Sequence, residues 1–88
     1  MISNYEAIKQ KVKDLVLEVL PNLKVEELSS DSDIFSMGLD SINAMTLVTN
    51  LQEAFEIQLD SSEINVENFQ NVGAIAGFIE TKKGGEAR

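Results

Sequence analysis

An all-α fold is what the sequence predicts: a small four-helix bundle of three longer helices and one short one, with a long loop between the first and second. Three observations predict it. Apolar residues recur at three- and four-residue steps in three separate runs, the pattern of helices that each bury one stripe. The only alternating run, residues 56–60, is too short for a strand and has no partner run. The chain has 88 residues, 43% hydrophobic and 25% charged, which suffices for one domain around a single core layer. With one Tyr, four Phe and no Trp, that core must be mainly aliphatic.

Ser3 or Asn4 can cap the first helix, with Glu6 in its first turn meeting the helix dipole. Tyr5, Ile8, Val12, Leu15, Val16 and Val19 form its inward stripe, and Lys9, Lys11 and Lys13 lie mostly opposite. Pro21 stops the helix, because it lacks a backbone donor and clashes with the preceding turn. Residues 22–40 then form the long connection. Leu23, Val25, Leu28, Ile34, Phe35, Met37 and Leu39 punctuate it, so it is expected to pack over the bundle. A connection of this length usually carries function. Within it, Asp31-Ser32-Asp33 invites a calcium-loop reading. Ile34 and Phe35 then fill ligand positions and Ser36 stands where the required glycine belongs, so no metal site is expected.

The second helix covers residues 42–55. At roughly 100° per residue, Ala44, Leu47, Val48, Leu51 and Phe55 share one arc and form a complete core face. Ile42 and Met45 fall outside that arc, together with Thr46, Thr49, Glu53 and Glu56. Two exposed apolar side chains in line with acids form a docking surface rather than a scatter of surface residues. Ile57-Gln58-Leu59 closes the helix over the bundle end. Asp60-Ser61-Ser62-Glu63 is a capping signal for the short helix that carries Ile64, Val66 and Phe69. Asn71 caps the last helix, which buries Val72, Ile75, Ala76 and Ile79 with Phe78 at its edge. Gly73 and Gly77 each cost that helix about 1 kcal/mol relative to Ala, a cost that close approach of a neighbouring backbone would justify. Lys82 and Lys83 suit its C-terminal dipole and Gly84-Gly85 end it. The domain is thus residues 1–83, and residues 84–88 form a polar, mobile tail.

Charge and missing residue types narrow the function. Fifteen acidic and seven basic side chains leave a net charge of −8. No basic footprint for nucleic acid is present, and an anionic membrane would repel the chain. The field suits partners with basic docking patches, and it also serves solubility. No apolar run approaches the ~20 residues of a membrane span, and the N-terminus has no secretory pattern. Without cysteine nothing calls for an oxidising compartment, and a cytoplasmic protein is expected. Histidine is absent too, which excludes zinc with nitrogen or sulfur ligands and removes the usual base for a serine or cysteine nucleophile. Ser41 does not sit in the nucleophile elbow. Asp40 and Glu53 could pair as carboxylates, but a bundle this small has little room for a substrate cleft. The chain is therefore not read as an enzyme, and no catalytic residue is assigned.

Ser41 remains the residue of interest. It stands where a loop ending in Gly38 meets the second helix, at unpaired backbone N–H groups and the positive end of the dipole. It could simply cap the helix, or it could accept a phosphate diester that this position stabilises.

Gly38-Leu39-Asp40-Ser41-Ile42, followed by Asn43-Ala44-Met45-Thr46-Leu47-Val48, resembles the phosphopantetheine attachment motif of acyl and peptidyl carrier proteins. The likeness covers nearly the whole domain, including the order and spacing of the helices. It implies that Ser41 receives 4′-phosphopantetheine from coenzyme A through a phosphopantetheinyl transferase and magnesium, with Asp40 assisting. It implies a carrier that presents acyl or aminoacyl thioesters to loading and biosynthetic enzymes of fatty acid, polyketide or nonribosomal peptide pathways. It also implies a partner surface of Leu39, Ile42, Met45, Thr46, Glu53 and Glu56, and an acyl cavity bordered by Leu47, Leu51, Leu59, Phe69 and Ile75. Two departures lean away from fatty acid synthesis. Asn43, Thr46 and Gln52 stand where such carriers often have acids, and the segment from Leu59 to Val72 is about two residues longer. The expected state is a free-standing monomer. The rival reading is a carrier-like helical interaction domain without a prosthetic group, in which Ser41 would be only a cap.

Overall fold

The computed structural model describes residues 4–86, and the described residues are helical with no strand. Four α-helices follow in order: α1 (Asn4–Val19), α2 (Ser41–Phe55), α3 (Val66–Phe69) and α4 (Val72–Glu86). Single 3-10 turns at Val25–Glu27 and Ser61–Glu63 interrupt the two longer connections. Because Asn4 is already helical, the cap expected at the start of α1 lies outside the described residues.

Helix α1 buries Ile8, Val12, Leu15, Val16 and Val19, the predicted stripe, against α4 and α2. Tyr5 is half-buried, and its hydroxyl donates to the Gly73 carbonyl at 3.4 Å. Gly73 is also where α4 meets the long loop: its N–H donates to the Ser30 carbonyl at 3.0 Å. A Cβ at Gly73 would stand 3.3 Å from that oxygen, so the glycine gives α4 a close approach. Gly77 has no such neighbour within 4 Å, so the same explanation fails there.

The long loop packs down at three fully or nearly buried residues, Leu28, Ile34 and Leu39. Val25 is the exception among its apolar residues, at 55% exposure. Ile34 ties the loop to the start of α4, donating its N–H to the Gln70 carbonyl at 3.1 Å. The Asp33 carboxylate is spent on the local turn, accepting from the Phe35 N–H at 3.0 Å and the Ser36 hydroxyl at 3.1 Å.

Two expectations need correction. Asp60 does not cap the short helix. Its segment closes its own 3-10 turn, with the Asp60 N–H donating to the Glu63 carboxylate at 2.8 Å. Asn65 caps α3 instead, its side-chain oxygen accepting from the Asn68 N–H at 2.9 Å. Two capping signals five residues apart each close a separate turn. Nor does Gly84-Gly85 end the last helix, since α4 continues to Glu86. A helical glycine costs only about 1 kcal/mol, and the turn just before the pair is fastened at two points. Lys83 donates to the Phe55 carbonyl at the end of α2, at 3.0 Å, and Lys82 donates to both Glu63 oxygens at 3.0 Å. Residues 84–86 of the expected tail are thus helical, and residues 87–88 lie outside the described residues.

The Asp60 N–H, and then Lys82, hold the Glu63 carboxyl below the usual glutamate value. A carboxylate whose folded pKa is lowered stabilises the fold above its ordinary value, and that contribution fades as pH falls through the lowered one. Urea unfolding between about pH 7 and pH 3 is therefore expected to show a shallower acid loss for Glu63→Gln than for the wild type. Identical pH slopes would remove Glu63 from the acid limb.

Candidate functional site

The site is built by a turn that reverses over the Ile34 carbonyl. That oxygen accepts the N–H groups of Met37 at 3.2 Å and Leu39 at 3.1 Å. Gly38 lies between them with φ +114°, a conformation that a side chain strongly disfavours. Leu39 is thereby turned inward to 5% exposure. The sequence reading placed it on the partner surface, and the structure removes it: the N–H that is drawn to Ile34 carries the side chain under the turn.

Asp40 comes next, with extended backbone (φ −109°, ψ −177°), and caps α2. Its carboxylate accepts the Asn43 N–H at 2.8 Å and its carbonyl accepts the Ala44 N–H at 2.8 Å. Ser41 is therefore the first helical residue and not the cap. It is exposed, and its hydroxyl has no hydrogen-bond partner among the described residues. This decides one alternative. The capping work belongs to Asp40, which leaves the Ser41 oxygen available at the N-terminus of a 15-residue helix. The dipole and unpaired N–H groups there favour an anion.

Beside Ser41 a cavity of about 490 Å³ opens between α2 and α3. Leu39, Ala44, Val48, Ile64 and Phe69 line it, Met45 and Val66 flank it, and Asp40, Ser41 and Asn65 supply its few polar atoms. Of the five residues expected to border an acyl cavity, only Phe69 lines this cleft. Leu47, Leu51 and Ile75 have no exposed surface and belong to the central core, and the half-buried Leu59 packs against that core without lining the cleft. Helix geometry explains the difference. Counting ~100° per residue, Val48 lies within ~20° of Ser41 and Met45 within ~40°, whereas Leu47 lies ~120° away. Ile64 and Val66 were missed as site residues because α3 is placed by tertiary contacts. The one local signal that could have found them is Asn65, a cap-type residue standing between the two.

The remaining predicted surface residues are where the helical spacing put them. Ile42 is 77% and Met45 55% exposed, and Thr46, Glu53 and Glu56 are exposed. Residues 25–81 contain eleven Asp and Glu and no Lys or Arg, so the site faces solvent with a single sign of charge. No helix among the described residues is long and apolar enough to cross a membrane.

A helical bundle that offers one unshared hydroxyl at a helix N-terminus, with no histidine or cysteine anywhere in the chain, has the form of a carrier that other enzymes modify and read. Residues 10–79 match the family described as "Phosphopantetheine attachment site". An acyl carrier protein of Prochlorococcus marinus (strain MIT 9515) is 39% identical over 90% of this chain and 96% of its own length. A D-alanyl carrier protein of Lactococcus lactis subsp. lactis (strain IL1403) is 32% identical over 86% of this chain and 96% of its own. Among solved structures, the HMG-ACPI domain from the CurA module of Lyngbya majuscula superposes with a TM-score of 0.76 over 94% of this chain and 82% of that one. At 20% identity, that likeness concerns the fold alone. The chain belongs to the phosphopantetheine-binding carrier family. It is a carrier and not an enzyme, it bears 4′-phosphopantetheine covalently, and its partners include a phosphopantetheinyl transferase and biosynthetic enzymes. The rival reading, an interaction domain without a prosthetic group, is not favoured.

Proposed function

We propose that Ser41 is the attachment point and that the chain carries apolar acyl groups for enzymes of fatty acid, polyketide or nonribosomal peptide biosynthesis. One observation carries the assignment: Asp40 takes the cap, so the Ser41 hydroxyl is exposed and unshared at the helix N-terminus. The residues fit the group. The start of α2 suits the phosphate diester, and the adjacent cleft suits an apolar chain. When attached, the arm supplies a terminal thiol on which an acyl group is held as a thioester. The chain's own residues position and shelter. Gly38 and Asp40 hold the turn that presents the hydroxyl, Asp40 assists its modification, and the base for that step comes from the transferase.

The cleft supports acyl cargo over an amino acid. Its lining is almost wholly apolar, with Leu39, Val48, Ile64 and Phe69 at its base. An apolar chain entering it gains about 25 cal/mol per Å² removed from water, whereas an unpaired ammonium there would lose its hydration. The test is incubation of the unmodified protein with coenzyme A, magnesium and a broad-specificity phosphopantetheinyl transferase. Intact mass is expected to rise by one phosphopantetheine group, on the peptide that contains Ser41. No gain under conditions that load a known carrier in parallel would overturn the assignment.

A further inference from the structure

Resting on the reading of the cleft as the place of an acyl chain, we infer that Lys82 is a positioning residue for the cargo: its ion pair with Glu63 ties the free end of the cleft's outer wall to α4 and so sets how well the cleft shields the thioester. The wall is the stretch from Ile64 to Phe69, which faces Ala44, Met45 and Val48 of α2 across the cleft. It runs back along α4, since α3 packs on α4 and the chain passes from Phe69 into that helix within three residues. One end of the wall is therefore fixed. Phe69 is buried there, its ring centroid 6.4 Å from that of Phe78 on α4. The other end has less to hold it: Ile64 is only half-buried, and Asn65 and Val66 are exposed.

That end is met by Lys82, ten residues beyond Val72 and so ~15 Å further along α4. Its ammonium donates to both Glu63 carboxylate oxygens at 3.0 Å, with about a quarter of each side chain left exposed. A hold on Glu63 reaches the wall because the stretch is braced within itself. The Asp60 N–H donates to the Glu63 carboxylate at 2.8 Å, the Asn65 side chain to the Ser62 carbonyl at 2.9 Å, and the Asn68 side chain to the Glu63 carbonyl at 2.9 Å. The next tie, from the Leu59 N–H to the Gln52 side chain at 2.9 Å, lies upstream of the braced stretch and leads to α2 instead of α4. No other cation can stand in for Lys82. Residues 25–81 hold no Lys or Arg, and Lys83 is engaged elsewhere, donating to the Phe55 carbonyl at 3.0 Å. The two adjacent lysines thus hold different things: Lys83 the end of α2, Lys82 the wall. A wall fixed at Phe69 and tethered at Glu63 resists swinging away from α2, and without the tether the cleft opens more often to water.

The experiment loads the protein from octanoyl- or acetyl-coenzyme A with the transferase and follows cleavage of each thioester by hydroxylamine through intact mass. In the wild type the octanoyl thioester is expected to be cleaved more slowly than the acetyl one, because only the longer chain reaches into the cleft. Lys82→Met keeps the aliphatic stem, and Glu63→Gln keeps an acceptor for the Asp60 N–H. Each is expected to speed octanoyl cleavage about threefold to fivefold, the size a partly exposed ion pair can carry, and to leave acetyl cleavage unchanged. The double variant is expected to be no faster than either single one, because both remove the same contact. Lys82→Arg is expected to restore the wild-type rate. Lys83→Met, which removes the neighbouring contact to Phe55, serves as the control and is expected to leave octanoyl cleavage unchanged. Circular dichroism checks that each variant is folded. Unchanged octanoyl cleavage in Lys82→Met and Glu63→Gln, or an equal acceleration by Lys83→Met, overturns the tether while the cleft and Ser41 stand. Equal cleavage of the octanoyl and acetyl thioesters in the wild type overturns the acyl reading of the cleft, and this inference with it. Absence of loading overturns the assignment of Ser41 itself.

Discussion

Ser41→Ala is expected to abolish phosphopantetheine loading completely while leaving the unfolding transition almost unmoved. Both halves follow from the same geometry. The hydroxyl is the oxygen that would form the ester bond, and alanine offers no substitute. The hydroxyl makes no hydrogen bond among the described residues, so its removal leaves no orphaned group, and alanine is the best helix former at a first-turn position. Asp40→Ala should behave in the opposite way. It deletes the side-chain acceptor for the Asn43 N–H, a loss of about 1 kcal/mol, which in a domain of this size lowers Tm by roughly 4–8 °C. Two adjacent substitutions thus separate attachment from capping. Intact mass after incubation with coenzyme A and transferase reads the first, and thermal unfolding of the unmodified proteins reads the second. Residual mass gain on Ser41→Ala would move the attachment point elsewhere. A Tm loss equal to that of Asp40→Ala would make Ser41 a structural residue.

The helix-borne part of the site was legible because helical spacing fixes direction. Once residues 42–55 were read as a helix, the angles of Ile42 and Met45 relative to Leu47 and Leu51 followed, and their exposures agree. The junction at Asp40-Ser41 was legible as a helix start, but the sequence offers Ser41 as a candidate cap, and the structure gives that role to Asp40. The loop-borne part was not legible. Nothing local shows that a leucine after a glycine at positive φ turns inward, and Leu39 does so because the Ile34 carbonyl draws its N–H. The cavity escaped for a similar reason. Its walls come from α2 and from residues 64–69, and α3 packs on α4, a contact that no local pattern in either segment shows. The expected cavity residues Leu47, Leu51 and Ile75 were read correctly as apolar and buried, but buried side chains do not reveal which gap they border.

Ile34→Ala is expected to be the most damaging single substitution for the fold and, through it, for the site. Ile34 has no exposed surface, although it lies in a connection and not in a helix. Its N–H binds the Gln70 carbonyl, and its carbonyl carries the Met37 and Leu39 N–H groups on which the Gly38 turn rests. Burial of the side chain is what holds that backbone in place. Truncation of a buried isoleucine to alanine costs about 2–5 kcal/mol. A domain of 88 residues has roughly 4–13 kcal/mol in total, so the variant could lose half its stability or more. Urea unfolding of the unmodified protein is expected to show the midpoint falling at unchanged m-value, with Ile34→Val losing only about 0.5–1.5 kcal/mol. Loading at Ser41 should slow in the alanine variant even where it remains folded, because a loosened turn presents the hydroxyl in fewer productive orientations. Leu51→Ala provides the contrast. Leu51 is as buried as Ile34 but sits in the middle of α2, away from the turn, so its truncation should lower stability without slowing loading of the folded fraction. If the two variants slowed loading equally, the turn would have no special hold on Ser41. If Ile34→Ala cost less than about 1 kcal/mol, the long loop would be a passive cover instead of the support on which the attachment site is built.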